Sequence, residues 1–293
     1  MSVDGVTPFL IESANVQGAH VHLGSVWRAL IAARHYPQPI VAALGQLAAF
    51  AALLSARLKH PTRITIQAQG KGPVPLWVVD LSAQRELRAM AQRRDPALPL
   101  ADNTPFAELL GENGQLALIL DLPATHTPFV TLFPYQGKEL SDALETFIAQ
   151  SDQRDTRLLL AADNEAAAGI LLQKLPDATS EDPDGWQRVT LFANTTQPDE
   201  LRLLTAQQLL HRLFAAEQVR TYPIVAILPY QRLDPQRIHA LLRLLGREEV
   251  EQLINETGAI EIHDELAGQT YRLTRAEAYA ALATDAISSN RVQ

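Results

Sequence analysis

Hydrophobic and polar positions change period several times along this chain, and each change predicts an element. Over residues 1–23 apolar side chains alternate loosely with polar ones (Phe9, Ile11, Val16, Val21, Leu23), broken at Gly18. That period of two predicts strands, whose side chains point to opposite faces in turn. Residues 24–35 place Val26, Trp27, Leu30 and Ile31 on one side of a short helix. Pro37 and Pro39 then punctuate the chain. A proline is favoured at a helix start, where its missing N–H costs nothing, so the next helix begins there and runs to about Lys59. Ile64, Ile66 and Ala68 alternate with Thr65, Gln67 and Gln69, and Gly70-Lys71-Gly72-Pro73 turns the chain into a strand at Leu76–Val79. Further strands are predicted over 116–120, 129–133, 157–161 and 167–175. Leu140, Leu144, Phe147 and Ile148 predict a helix over 139–150.

The pattern shifts after Pro176. Residues 176–185 collect Asp177, Thr179, Ser180, Glu181, Asp182, Pro183 and Asp184, which predicts an exposed acidic linker and the main domain boundary. Beyond it, 199–219 reads as one amphipathic helix. Leu203, Leu210, Leu213 and Phe214 fall on one stripe, with Arg202, Gln207, His211 and Arg212 elsewhere. Residues 222–293 read as a small unit. A strand at 224–227 is followed by helices at about 235–245 and 247–255. A hairpin pairs 259–263 with 269–273, and a last helix covers 275–286.

Composition narrows the classes. Hydrophobic residues make up 47% of the 293 positions, enough for a full core in one large domain or two smaller ones. Acidic side chains outnumber basic ones, 33 to 25, for a net charge of −8. That balance argues against a nucleic-acid or anionic-membrane binder. Asp4, Pro8 and Glu12 stand where a signal peptide needs a basic start and an apolar run, so secretion is not expected. Residues 39–56 carry no charge and approach the roughly 20 residues of a spanning helix. The stretch is alanine-rich, contains Gln46 and Ser55, and is closed by Arg57 and Lys59, which favours a buried core helix. The chain has no cysteine. Disulfides, thiolate zinc sites, iron–sulfur clusters and cysteine nucleophiles are therefore excluded.

Candidate chemistry is sparse. Gly70-x-Gly72 lacks a third glycine, and Pro73 removes an amide a phosphate would need, so it reads as a hairpin turn. His20 and His22, two apart on a strand, share a face, a spacing a metal could use, with no third ligand nearby. His263-Asp264-Glu265 is a compact nitrogen and oxygen cluster at a turn, where solvated acids are common. Glu248-Glu249 reads as a solvated face. There is no Gly-x-Ser-x-Gly elbow and no His-Glu-x-x-His. The residues point to a binding protein rather than an enzyme.

Several segments resemble the heat-shock protein 33 family of redox-regulated holdase chaperones. They are His35-Tyr36-Pro37-Gln38-Pro39, Leu53 to Lys59, the hairpin Ile64 to Pro73, Ser151-Asp152-Gln153 with Thr156-Arg157, and Ala167 to Gln173. The likeness runs in order along nearly the whole chain. It implies an α+β fold in three parts. An N-terminal α/β chaperone domain with antiparallel sheets and helices covers 1–176. A linker with an amphipathic helix covers 177–220, and a small C-terminal α+β domain covers 221–293. In the family that last domain holds one zinc on Cys-x-Cys and Cys-x-x-Cys, and oxidation releases it. Matching through Glu248-Glu249-Val250 and Gly258…His263 puts Gln231 and Leu233 at the first pair and Asp264 and Ala267 at the second. None is a thiol, and leucine and alanine have no donor atom, so the family zinc is expected to be absent.

What the resemblance implies is an ATP-independent holdase in the cytoplasm that binds unfolded proteins. It needs no cofactor, catalyses no reaction, binds neither nucleic acid nor membrane, is not switched by its own thiols, and is able to form a homodimer on activation. Leu203, Leu210, Leu213 and Phe214 are the client-binding candidates. Two alternatives stand beside it: a structural or adaptor protein that has lost holdase activity, and a metal-dependent enzyme using His20/His22 or His263/Asp264.

Overall fold

A computed structural model of the chain describes residues 3–32, 34–58, 60–122, 127–137, 139–176, 182–230, 242, 244–266 and 268–283. It divides into two units, Met1–Pro229 and Tyr230–Gln293.

The first unit is organised around one apolar helix. Strands β1 (Gly5–Ile11) and β2 (Val16–Leu23) lead into α1 (Ser25–Ile31) and then α2 (Gln38–Ser55). Strands β3 (Arg63–Gln69), β4 (Leu76–Leu81) and β5 (Glu86–Gln92) form a meander. After α3 (Phe106–Leu110) come β6 (Gln115–Asp121), β7 (Phe129–Pro134) and α4 (Leu140–Asp152). Then follow β8 (Thr156–Ala162) and β9 (Ala167–Lys174), the helices α5 (Gly185–Ala193), α6 (Pro198–Leu203) and α7 (Ala206–Phe214), and three short strands. These are β10 (Val219–Thr221), β11 (Val225–Ala226) and β12 (Leu228–Pro229).

Two six-stranded sheets result. The first runs β10-β1-β2-β9-β8, with β11 also on β1; the second runs β12-β5-β4-β3-β6-β7. The pairings are antiparallel except β12 with β5. Helix α2 packs on β2, β8 and β9 of one sheet and on β3, β4 and β5 of the other. A helix covered on both sides has no face left for water, which is why 39–56 is apolar all round. By length and composition α2 could cross a membrane, but 72% of its apolar window is buried inside the protein. Gly45 permits the close approach: a Cβ there would lie 2.4 Å from that of Ala162 and 3.0 Å from the Trp27 ring.

The predicted hairpin at 70–73 is present, and its turn rests on α3. The Gly72 and Val74 amides donate to the Leu110 and Leu109 carbonyls at 2.8 and 3.0 Å. Amides used in this way cannot cradle a phosphate. Strand β5 and helix α3 were not expected from the pattern. In β5 the alternation is masked by Arg88, which is buried because it pairs with buried Asp80 at 2.6 Å. Arg63 and Thr65 complete the shell of that carboxylate at 2.7 and 2.9 Å. Burial alone would raise the Asp80 pKa, but the hydrogen bonds from Arg63 and Arg88 outweigh it and hold it below the usual carboxylate range.

The second unit contains α8 (Arg247–Thr257), the hairpin β13 (Ala259–Asp264) with β14 (Gln269–Thr274), and α9 (Arg275–Ala283). Leu242, Val250, Ile254, Ile260 and Ala278 form its core, flanked by Leu253, Ile262, Leu273 and Tyr279. The helix expected at 235–245 falls mostly outside the described residues.

Candidate functional site

Strand β9 is buried along nearly its whole length, so the first sheet must be covered on both faces. One face packs on α2. The other presents Phe9, Ile11, Val16, Ala161, Ala168, Ile170 and Leu172, an apolar surface that needs a second layer. Helices α5, α6 and α7 supply it with Val189, Ala193, Leu201, Leu209, Leu210, Leu213 and Phe214. Phe214 meets Phe9 with ring centroids 6.4 Å apart. Phe9 in turn lies over Gly18, its cross-strand partner, so close that a Cβ at Gly18 would fall 2.2 Å from the ring.

The single helix expected over 199–219 is two helices. Leu204 is extended, and Thr205 caps α7: its hydroxyl accepts from the Gln208 amide and the Gln208 side chain returns to the Thr205 amide. A second capping box, Gln197 with Glu200, starts α6 behind Pro198. The break changes the helical phase. Leu210, Leu213 and Phe214 are brought together in the core, whereas Leu203 is 76% exposed and does not join their stripe. Leu201 and Leu209, which the single-helix reading passed over, are buried in its place.

Ion pairs and hydrogen bonds hold the layer together and tie it to the sheet and its turns. Arg188 of α5 binds Asp182 and Glu217 at 2.7 Å each, and Ser13 donates to Glu217. These hydrogen bonds from Arg188 hold both carboxyls below their ordinary range. Arg202 of α6 pairs with Asp163 and Asp199, and Arg157 donates to Asn194 at 2.6 Å.

His20 and His22 share the sheet face beneath α6. His20 is 1% exposed, and the His22 Nε2 lies 2.9 Å from the Arg202 carbonyl. Burial and the neighbouring His22 push the His20 imidazole down to about 4, against a hydrogen bond with the Leu201 backbone that raises it. Among the described residues His20 Nε2 and His22 Nδ1 have no hydrogen-bond partner. A groove of about 600 Å³ adjoins the pair, lined also by Val3, Leu203, Leu204 and Ile224. His263 sits in the second unit's hairpin with its Nδ1 3.0 Å from the Thr270 hydroxyl. Among the described residues no three His, Asp or Glu side chains are grouped to hold a metal.

The family model described as "Hsp33 protein" matches residues 4–274. The chain belongs to the Hsp33 family. The 33 kDa chaperonin of Chromobacterium violaceum is 35% identical over 98% of this chain and 97% of its own length. That of Nitrosococcus oceani is 34% identical over 94% and 92%. Among solved structures, the crystal structure of the 33 kDa chaperonin (heat shock protein 33 homolog) from Thermotoga maritima superposes with a TM-score of 0.76. That match covers 98% of this chain and all of the other at 19% identity, and so speaks for the fold. Membership carries a chaperone role in the stress response and the binding of client proteins.

The zinc implied by the Hsp33 resemblance does not fit this donor set. Asp264 ends β13 opposite Gln269, and its carbonyl accepts from the Gly268 amide at 2.8 Å. Gln231, Leu233 and Ala267 lie outside the described residues. By chemistry alone the four positions offer two oxygen-bearing side chains and two hydrocarbons, where a structural zinc takes four thiolate or imidazole donors.

Proposed function

We propose that this chain is an ATP-independent holdase. It binds non-native polypeptides through apolar surface and works in the cytoplasm without zinc, nucleotide or a thiol switch. The observation that supports this reading best is the layer α5–α7. Its short helices cover a continuous apolar sheet face through Leu201, Leu209, Leu210, Leu213 and Phe214, and on this reading the gate opens when they undock. Undocking exposes both apolar surfaces at once, and a large contiguous apolar patch is what marks a protein-binding surface. A two-state equilibrium within a few kcal/mol of balance suffices for such a gate. With no cysteine in the chain, the bias on that equilibrium comes from heat or from the chemistry of the groups that hold the layer.

The test is suppression of aggregation of a chemically denatured protein, with and without heat and with and without peroxide, alongside metal analysis of the purified chain. The reading expects protection that is independent of peroxide and strengthens with heat, and zinc well below one per chain. Protection that needs peroxide, or none under any condition, would overturn it.

A further inference from the structure

Strand β7 closes one edge of the second sheet, and its composition is unusual for an edge. Natural edge strands are blunted by charges, prolines, bulges or covering segments, because their unpaired N–H and C=O groups template pairing with another chain; here the prolines, Pro128 and Pro134, stand at the two ends and leave 129–133 without one. Residues 122–137, which include β7, contain no Asp, Glu, Lys or Arg. Phe129, Val130 and Leu132 are 56%, 51% and 66% exposed. The inner side pairs residue for residue with β6, from Leu120 opposite Phe129 to Gln115 opposite Pro134. Among the described residues no strand pairs with the outer side. Val130 and Leu132 stand on the sheet face away from α2, beside Ile119 and Ala117. The strand is held firmly from within, since Phe133 stacks on Phe147 of α4 at 4.2 Å.

We infer that β7 is a strand-addition site for extended, uncharged apolar segments of non-native polypeptides. The unpaired backbone edge calls for another β-strand, because only an extended backbone meets its repeating donors and acceptors. The side chains on both faces call for apolar residues in that strand. Size decides against a second copy of this chain. Six residues span about 20 Å, and one added strand buries a few hundred Å² per partner, well under the roughly 800 Å² of a stable dimer. Short contact with fast release suits a segment of a client. Helices α5–α7 pack on the other sheet, so their docking does not cover this edge. The inference deepens the holdase reading and rests on it for the identity of the partner, while strand addition itself is tested without any client.

The probe is a fluorescent ten-residue peptide of alternating valine and threonine with lysines at its ends, bound to the full chain. Binding should come with slowed amide exchange within 129–133. It should weaken at least tenfold in Val130→Lys/Leu132→Lys, and also for a peptide N-methylated at alternate amides. Val130→Thr/Leu132→Thr keeps strand propensity and should weaken binding less than the lysine pair, which guards against misfolding as the cause. Equal binding by the N-methylated peptide or by the lysine variant would overturn the inference. So would absence of binding, or exchange within 129–133 that slows only as the protein itself dimerises. Aggregation assays run in parallel separate the two readings. A chain that binds the peptide but protects no client refutes the holdase alone, and a chain that protects clients equally with the lysine pair refutes the edge alone.

Discussion

Acid should loosen the helical layer through His20. The side chain sits beneath α6 with its imidazole at about 4 against an ordinary value of 6.5, chiefly because burial penalises the charged form. At pH 7 the ring is neutral in folded and unfolded chains and contributes nothing. As pH falls below 6.5 the unfolded chain takes up a proton that the native chain refuses, so native stability declines until about pH 4, where the native ring is protonated too. The gap between 6.5 and 4, at about 1.4 kcal/mol per pH unit, is worth about 3 kcal/mol. The groups facing His20 do not cancel this. His22 opposes its charge, and Arg202, the nearest cation on α6, is paired with Asp163 and Asp199. Glu217 and Asp182 act in a lower window, because Arg188 holds their pKa values below the ordinary ones and their contribution is lost only as pH falls through that lowered range. Urea unfolding of the wild type and of His20→Leu at pH 7 and pH 4.5, read by tryptophan fluorescence, checks the magnitude. The wild type should lose about 2 kcal/mol more than the variant between the two pH values. Protection factors for amides in α6 and α7, which correct for the slower intrinsic exchange in acid, should fall further over the same interval in the wild type than in the variant. Equal losses in the two proteins would refute the reasoning.

Two further outcomes follow from buried contacts. Asp80→Ala leaves Arg88 buried without its carboxylate and should cost about 3–5 kcal/mol, a fall on the order of 10 °C in Tm by calorimetry. The double variant Asp80→Ala/Arg88→Met should recover much of that loss. Gly18→Val drives a side chain into the Phe9 ring and so into its contact with Phe214. It should cost about 1–3 kcal/mol and raise binding of an apolar dye at neutral pH, and an unchanged melting curve with unchanged dye binding would contradict the packing described.

What the pattern of residues could reveal depended on how local its cause was. The apolar run of α2 is legible because being covered on every side leaves a uniform signature, although which sheets cover it is not. The hairpin β3–β4 is legible from alternation and a glycine-proline turn. Strand β5 is not, since Arg88 breaks its alternation and the partner that makes an arginine tolerable there, Asp80, lies on a different strand. The division between α6 and α7 was present as Thr205 and Gln208 at capping-box spacing, but counting apolar positions alone runs across it and puts Leu203 on the wrong side. His20 and His22 share a face as the period of two requires. Their contacts with the backbone of Leu201 and Arg202 reach about 180 residues along the chain, which no local pattern encodes.

On the holdase reading, losing the thiolates changes the kind of switch as well as its trigger. A structural zinc contributes about 10 kcal/mol or more to a small domain, all of it removable by one chemical event. The described core of the second unit has Leu242, Val250, Ile254, Ile260 and Ala278 instead. Buried aliphatic side chains contribute about 1.5–3 kcal/mol each, and no single reaction removes them together. Control then passes to conditions that weaken many contacts a little, such as heat, and to the few groups whose charge can change beneath the α5–α7 layer, His20 first. The two apolar surfaces of the first unit would answer differently. The β7 edge is available in the folded chain, whereas the face beneath Leu210, Leu213 and Phe214 opens only on undocking. A holdase built this way has a constant component and a gated one. The gated component should follow acid and temperature, and the constant one should vanish only with the lysine substitutions at Val130 and Leu132.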